Sequence, residues 1–158
     1  VIQRLISGGQ SGADQAGLRA GKVLGYTTGG MMPRGWKTEA GPRPEFKNLY
    51  GMVESRFDGY EHRTRHNVRA ADATLLFVRH GIDGGSHLTA SCVMANMKLL
   101  QTCEWPDAAT IFIPMADFIR AWILRERIRT LNVAGNRESK SPGIGALVET
   151  FLLEALQR

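Results

Sequence analysis

Three short stretches combine glycine with polar side chains in patterns suited to holding an anion. The first is Gly8-Gly9-Gln10-Ser11-Gly12-Ala13-Asp14. Glycines let backbone N–H groups come close to an anion, and a helix starting there adds partial positive charge. The stretch is neither G-x-G-x-x-G nor a Walker A loop, since no Lys-Ser/Thr follows it. A tight strand-to-helix turn would need the same glycines for its backbone angles alone. Asp14, in the first helical turn, is stabilised by the helix dipole but would repel a phosphate at the same end. Beside a bound anion it should instead face a donor: a ribose hydroxyl, a base or pterin N–H, or a Mg²⁺ ion.

The second stretch is Asp83-Gly84-Gly85-Ser86-His87-Leu88-Thr89. Gly84 and Gly85 supply backbone donors, and Ser86 and Thr89 offer hydroxyls. Ser86 also suits the N-cap of a helix beginning there. His87 has no carboxylate or nucleophile near it in sequence and reads as an exposed first-turn residue. The third stretch runs from Gly135 through Arg137, Glu138, Ser139 and Lys140 to Gly143. Arg137 and Lys140 bring positive charge, and arginine can hold phosphate in a bidentate fork.

Other candidates are more diffuse. The run Glu61 to Arg69 is dense in cations. On a helix, Arg65 and Arg69 share one face while Arg63 and Asn67 share another. That splits the charge, so a solvated helix with one or two residues turned into a site is expected, rather than a nucleic-acid stripe. Arg34 and Lys37 lie in a long loop, able to close over a ligand or merely to anchor the loop. No G-x-S-x-G elbow occurs, no cysteine adjoins a histidine, and no carboxylate pair is spaced for acid–base work. Catalytic residues are therefore not assigned. An N-glycosidic hydrolase would have to use Asp14 or Glu138 as its acid.

The elements that must position these groups follow from periodicity. Strands are expected at Val1–Ile6, Tyr26–Thr28, Thr74–Val78, Thr110–Ile113 and Thr130–Ala134. A helix after the first turn carries Ala13, Ala16, Gly17, Ala20 and Leu24 on one small-residue face. Residues 29–56 read as irregular, and a polar helix covers 58–70. Leu88, Cys92, Ala95, Leu99 and Cys103 repeat at helical spacing. Asp117 is placed to cap a helix with Phe118, Ile119, Trp122 and Ile123. Ile144, Leu147, Val148, Phe151, Leu152 and Ala155 form an i, i+3, i+4, i+7 stripe. Alternating strands and helices imply parallel pairing through right-handed crossovers. The expectation is one Rossmann-like α/β domain spanning 1–158, with about five mostly parallel strands and helices on both faces. The three turns then gather at the carboxyl edge of the sheet, where ligands bind.

Composition sets bounds. Apolar residues make up 43% and charged residues 22% of 158, which excludes disorder as the main state. The net charge of +5 suits an anionic ligand and equally an ordinary soluble surface. Cys92 and Cys103, eleven residues apart in one expected helix, would be about 16 Å apart and unable to bridge. They lack zinc-ligand spacing, so no metal site is assigned. No apolar run is long enough to span a membrane, and Val1 to Ser7 lacks signal-peptide features. A cytoplasmic protein is expected. Trp36 and Trp105, outside the core stripes, admit a homo-oligomer or burial under loops.

Taken together, the motifs resemble a known family. Ser7 to Asp14 is similar to its S-G-G-Q-T-G-V-D signature, with Ser11 and Ala13 for the commoner Thr and Val. Pro33-Arg34-Gly35 with Glu39 and Gly41, then Tyr60, Arg63-Thr64, Asn67-Val68 and Asp72 to Leu75 also match. So do Gly84-Gly85, Leu131 to Gly135, Arg137 to Lys140 and Pro142-Gly143. The chain resembles, over nearly its whole length, the molybdenum carrier group, also described as circularly permuted YpsA-like proteins of the SLOG superfamily. Relatives include the LOG (lysine-decarboxylase-like) and DprA groups. The resemblance implies a Rossmann-like fold and a phosphorylated ligand at the glycine turns, either a nucleotide or molybdopterin. The site it implies comprises Gly8, Gly9, Gln10, Ser11, Gly12, Asp14, Arg34, Asn67, Gly84, Gly85, Ser86, Thr89, Gly135, Arg137, Ser139 and Lys140. LOG phosphoribohydrolases carry P-G-G-x-G-T-x-x-E. Here Cys92 stands three residues beyond Thr89, where that motif has Glu, so their hydrolysis is not implied. DprA kinship raises nucleic-acid binding, which the dispersed charge disfavours.

Overall fold

A computed structural model describes residues 2–79, 81–104 and 112–157. Six strands form one sheet: β1 (Arg4–Ser7), β2 (Thr27–Met32), β3 (Met52–Glu54), β4 (Ala73–Val78), β5 (Leu99–Glu104) and β6 (Thr130–Gly135). Their spatial order is β3-β2-β1-β6-β4-β5. Every pair is parallel. Among the described residues, five α-helices lie between strands, α1 (Ala13–Val23), α2 (Phe46–Tyr50), α3 (Glu61–Ala70), α4 (Gly84–Ala95) and α5 (Phe112–Arg125), and α6 (Ile144–Ala155) follows β6.

The sheet is central because its strands are apolar on both sides. In β4 all six residues are buried. Leu75 and Phe77 face α5 and α6, while Leu76 and Val78 pack toward α4. Alternate side chains therefore feed two helix layers, as the period of two requires. On the first layer, Phe77 meets Phe151 of α6 edge to face at 5.7 Å. On the second, Val68 of α3 packs with Cys92 and Val93 of α4.

The small face of α1 does what its composition allows. Ala13, Ala16 and Ala20 are fully buried. A Cβ on Gly17 would fall 2.6 Å from Val133 Cβ, so the helix axis lies close against β6. Close seating sets the height of the turn that precedes α1, and with it the position of Gln10 and Asp14.

Several expected elements are corrected. The described residues form six strands, not five. The additional β3 is a three-residue edge strand inside the stretch expected to be irregular, which also holds α2. The stripe from Leu88 to Cys103 is not one helix. It ends at Ala95, the chain reverses through Met97 with φ 50, and Cys103 lies in β5. Both cysteines are free and buried, and burial pushes the Cys103 thiol up to about 12. Of the strand expected at 110–113, Thr110 and Ile111 lie outside the described residues, and Phe112 and Ile113 open α5. Asp117 sits inside α5 and does not cap it. Trp36 is half-buried against Leu18, Met32, Phe46, Tyr50 and Met52. Trp105 lies outside the described residues. Among the described residues, no helix is long and apolar enough to cross a membrane.

Candidate functional site

The turns after β1, β4 and β6 meet at the carboxyl edge of three adjacent strands. One buried side chain joins them. Asn136 is 3% exposed; its Nδ2 donates to Asp83 Oδ2 at 3.0 Å and to Ser86 Oγ at 3.3 Å. Its Oδ1 accepts from Arg79 N at 2.7 Å, and its backbone oxygen accepts from Ala13 N at 3.2 Å. Third turn, second turn and α1 are thus locked together around one asparagine, its side chain binding the second turn and its backbone oxygen binding α1.

Between them lies a cleft of about 550 Å³. From the first turn come Gln10 and Asp14; from the second, Asp83, Gly84, Gly85, Leu88 and Thr89. Ala134, Gly135, Arg137 and Lys140 come from β6 and its turn. Helix α3 and its N-cap supply Tyr60, Arg63 and Thr64. Eight expected site residues therefore line one cavity: Gln10, Asp14, Gly84, Gly85, Thr89, Gly135, Arg137 and Lys140.

The others lie elsewhere. Gly8 lies against the Arg63 guanidinium, Gly9 against the Met32 side chain and Gly12 against the backbone of the third turn. Ser11 and Ser139 both donate their hydroxyls to Glu39, and Ser139 N donates to the same carboxylate at 3.0 Å. Burial alone would raise the Glu39 pKa, but those bonds and the Arg137 charge outweigh it and hold the carboxyl below its ordinary range. Ser86 is buried behind Asn136. Asn67 is 2% exposed and binds the backbone of Ser7 and Met31, fixing α3 to β1 and β2. Arg34 is exposed, 3.9 Å from Asp58, and does not line the cleft.

Charge within the cleft is mixed but sorted. Arg63, Arg137 and Lys140 stand against Asp14 and Asp83. Asp83, rather than Ser86, caps α4, and its Oδ1 accepts from Ser86 N at 2.9 Å. Burial would raise its pKa, yet the bonds from Ser86 and Asn136 bring it below the ordinary carboxylate range. Asp14 is the opposite case. Burial pushes its pKa up, against the lowering effect of the Arg63 charge and the N–H groups of Gln10 and Gly8. Its Oδ2 lies 3.3 Å from both Arg63 Nη1 and Gln10 N. The expected donor opposite Asp14 is therefore supplied by the protein itself.

Above Arg63, the ring of Tyr60 has two guanidiniums near it, Arg63 at 5.5 Å and Arg137 at 5.6 Å from its centroid. Both are within cation–π range. Glu138 turns away to the start of α6, where its Oε2 accepts from Gly145 N at 3.0 Å. Tyr60, Arg63, Thr64 and Asp83 were not among the expected site residues. The signal for the first three was present: Tyr60, Arg63, Thr64 and Asn67 repeat at i, i+3, i+4 and i+7, one face of a helix.

The chain is similar to known proteins over nearly its whole length. Residues 5–156 match the model of the circularly permutated YpsA SLOG family. The fold is similar to the crystal structure of a "Putative molybdenum carrier protein" from Syntrophus aciditrophicus SB. The TM-score is 0.85 at 32% identity, covering 98% of this chain and 92% of the other. Among curated proteins, none matches.

Proposed function

The chain belongs to the circularly permutated YpsA SLOG family, and from that premise we propose a cytoplasmic protein that binds a phosphorylated or oxyanionic small molecule. The ligand is a molybdenum cofactor of the molybdopterin kind or a nucleotide, and the glycine turns form its cleft. The observation that carries this reading is the convergence of three turns on one cavity with Arg63, Arg137 and Lys140 in its wall. Its volume of about 550 Å³ lies within the range of small-molecule sites, roughly 300–1,000 Å³. Tyr60 offers a flat aromatic surface for a heterocycle, and the cations serve the phosphate. The similarity to a protein named "Putative molybdenum carrier protein" favours a molybdenum-bearing ligand over a plain nucleotide.

The test is native mass spectrometry of gently purified protein, followed by denaturing release of what it holds. One phosphorylated pterin or molybdenum species per chain is the expected result. A bound nucleotide would keep the cleft reading and redirect it toward nucleotide sensing. A protein that stays empty after incubation with molybdate, AMP and a pterin phosphate would overturn it.

A further inference from the structure

The cleft offers three places for an anion, and two are already taken. At the N-terminus of α4, the Asp83 carboxylate holds Ser86 N and Asn136 Nδ2. In the first turn, Gly9 N donates to Ser7 Oγ at 3.1 Å, Gln10 N to Asp14 at 3.3 Å and Ser11 N to Gln10 Oε1 at 3.0 Å. That turn has the composition of an anion cradle, but these backbone donors are spent internally.

What remains is a pair of side-chain donors. Gln10 is 5% exposed and lines the cleft. Its Oε1 accepts from Ser11 N and from Glu39 N at 2.9 Å, so flipping the amide would lose both bonds. The flip state is thereby assigned and Nε2 is held in place. Among the described residues, Nε2 is buried with no hydrogen-bond partner. Arg63 Nε, from the facing helix, is likewise buried and unpartnered. The Arg63 guanidinium is positioned by Asp14 and by the bare backbone at Gly8, where a Cβ would fall 1.6 Å from Nη1. A buried polar group without a partner is costly, and two on residues that line the same cleft call for a ligand that completes them. Both are donors, so the ligand must bring acceptors.

Resting on the cleft reading above, we infer that Gln10 Nε2 and the Arg63 guanidinium together bind a tetrahedral oxyanion, either the phosphate of an ester or a free oxyanion. Asp14 does not read the ligand. It orients Arg63 and directs its own charge into that guanidinium and Gln10 N. The heterocycle of an ester then lies outward, toward Tyr60 and the mouth formed by Arg137 and Lys140.

The experiment is calorimetric titration of the wild type and Gln10→Glu with AMP, adenosine, inorganic phosphate and molybdate. The substitution keeps an acceptor for Ser11 N and Glu39 N but replaces the unpartnered donor by an acceptor and adds a negative charge, so the side-chain amide resonance of Gln10 in unaltered protein is read alongside it to separate a lost hydrogen bond from repulsion. Expected is a loss of about ten- to a hundredfold in oxyanion affinity, the usual weight of a hydrogen bond to a charged group. Should the variant fail to fold, the Gln10 side-chain amide resonance of unaltered protein reports the same contact. It should shift on saturation with AMP or phosphate and not with adenosine. AMP binding alone identifies an ester, and equal binding of phosphate or molybdate identifies a free oxyanion; both support the inference. Wild-type binding that Gln10→Glu leaves intact, an unshifted amide at saturation, or adenosine binding as tightly as AMP overturns it while the cleft reading stands. Binding of none of the four probes overturns both.

Discussion

Two glycine turns of this protein stand at equivalent places, after β1 and before α4, yet their glycines do different physical work. In the first, Gly9 and Gly12 have φ of 73 and 78. A Cβ on Gly12 would lie 2.5 Å from Asn136 O and 2.8 Å from Glu138 N, both backbone atoms. The third turn is laid directly on it. In the second, a Cβ on Gly84 would meet nothing within 4 Å, and one on Gly85 only Asp83 Oδ1 at 3.8 Å. These glycines face the cleft and keep it open. In the first turn the glycines leave no room for a side chain: Gly12 meets the backbone of the third turn, Gly9 the Met32 side chain and Gly8 the Arg63 guanidinium. The second is glycine-rich where space is left for something else.

This contrast can be broken at either end. Gly12→Ala should have the largest effect: a strained backbone angle plus a steric clash with unyielding atoms costs about 3 kcal/mol. Urea unfolding measures it, and a loss below about 1 kcal/mol would show that the third turn can move away. Gly84→Ala should leave stability within about 1 kcal/mol, on the favourable side, because alanine is the better helix former. Its methyl instead enters the cleft, so AMP affinity falls severalfold by calorimetry. If Gly84→Ala unfolds the protein as Gly12→Ala does, the two turns are alike after all.

The smallest effect sharpens the comparison. Glu39 straps the first turn to the third through Ser11 and Ser139. Its folded pKa is lowered from 4.5. The sign follows: its contribution is present above pH 4.5 and is lost as pH falls through the lower folded value. Thermal melts of wild type and Glu39→Gln should therefore differ at pH 7 and converge as the pH is lowered below 4.5. Because Glu39 is exposed, the separation should be small. Melts that stay equally separated across that range would mean the strap does not depend on charge.

Much of this was readable along the chain. The alternation of apolar strands with amphipathic helices implied a parallel sheet, and parallel connection puts every strand-to-helix turn at one edge. The small face of α1 implied close seating on the sheet. Less readable was β5, since Leu99 and Cys103 continue a helical repeat by chance and only the reversal at Met97 ends it. The edge strand β3 was hidden by its length, three residues.

The site divides the same way. That Gln10, Gly84, Arg137 and Lys140 share an edge follows from where they stand relative to strands. Which of them meets a ligand does not. Arg34 and Arg63 are both arginines beside polar loops. Arg34 points into solvent near Asp58, while Arg63 lies across a glycine against an acid 49 residues away. Ser11 and Ser139 look like anion donors until Glu39 is found between them. Local spacing determines which face of an element a residue occupies, because helix and strand periods are properties of the backbone. Whether a donor on that face is satisfied depends on what another element brings opposite it. Asn136 meets Asp83 across 53 residues of chain. The sequence alone determined the sheet edge at which the three turns gather; only the packing of distant elements decided that, among the described residues, Gln10 Nε2 and Arg63 Nε have no partner.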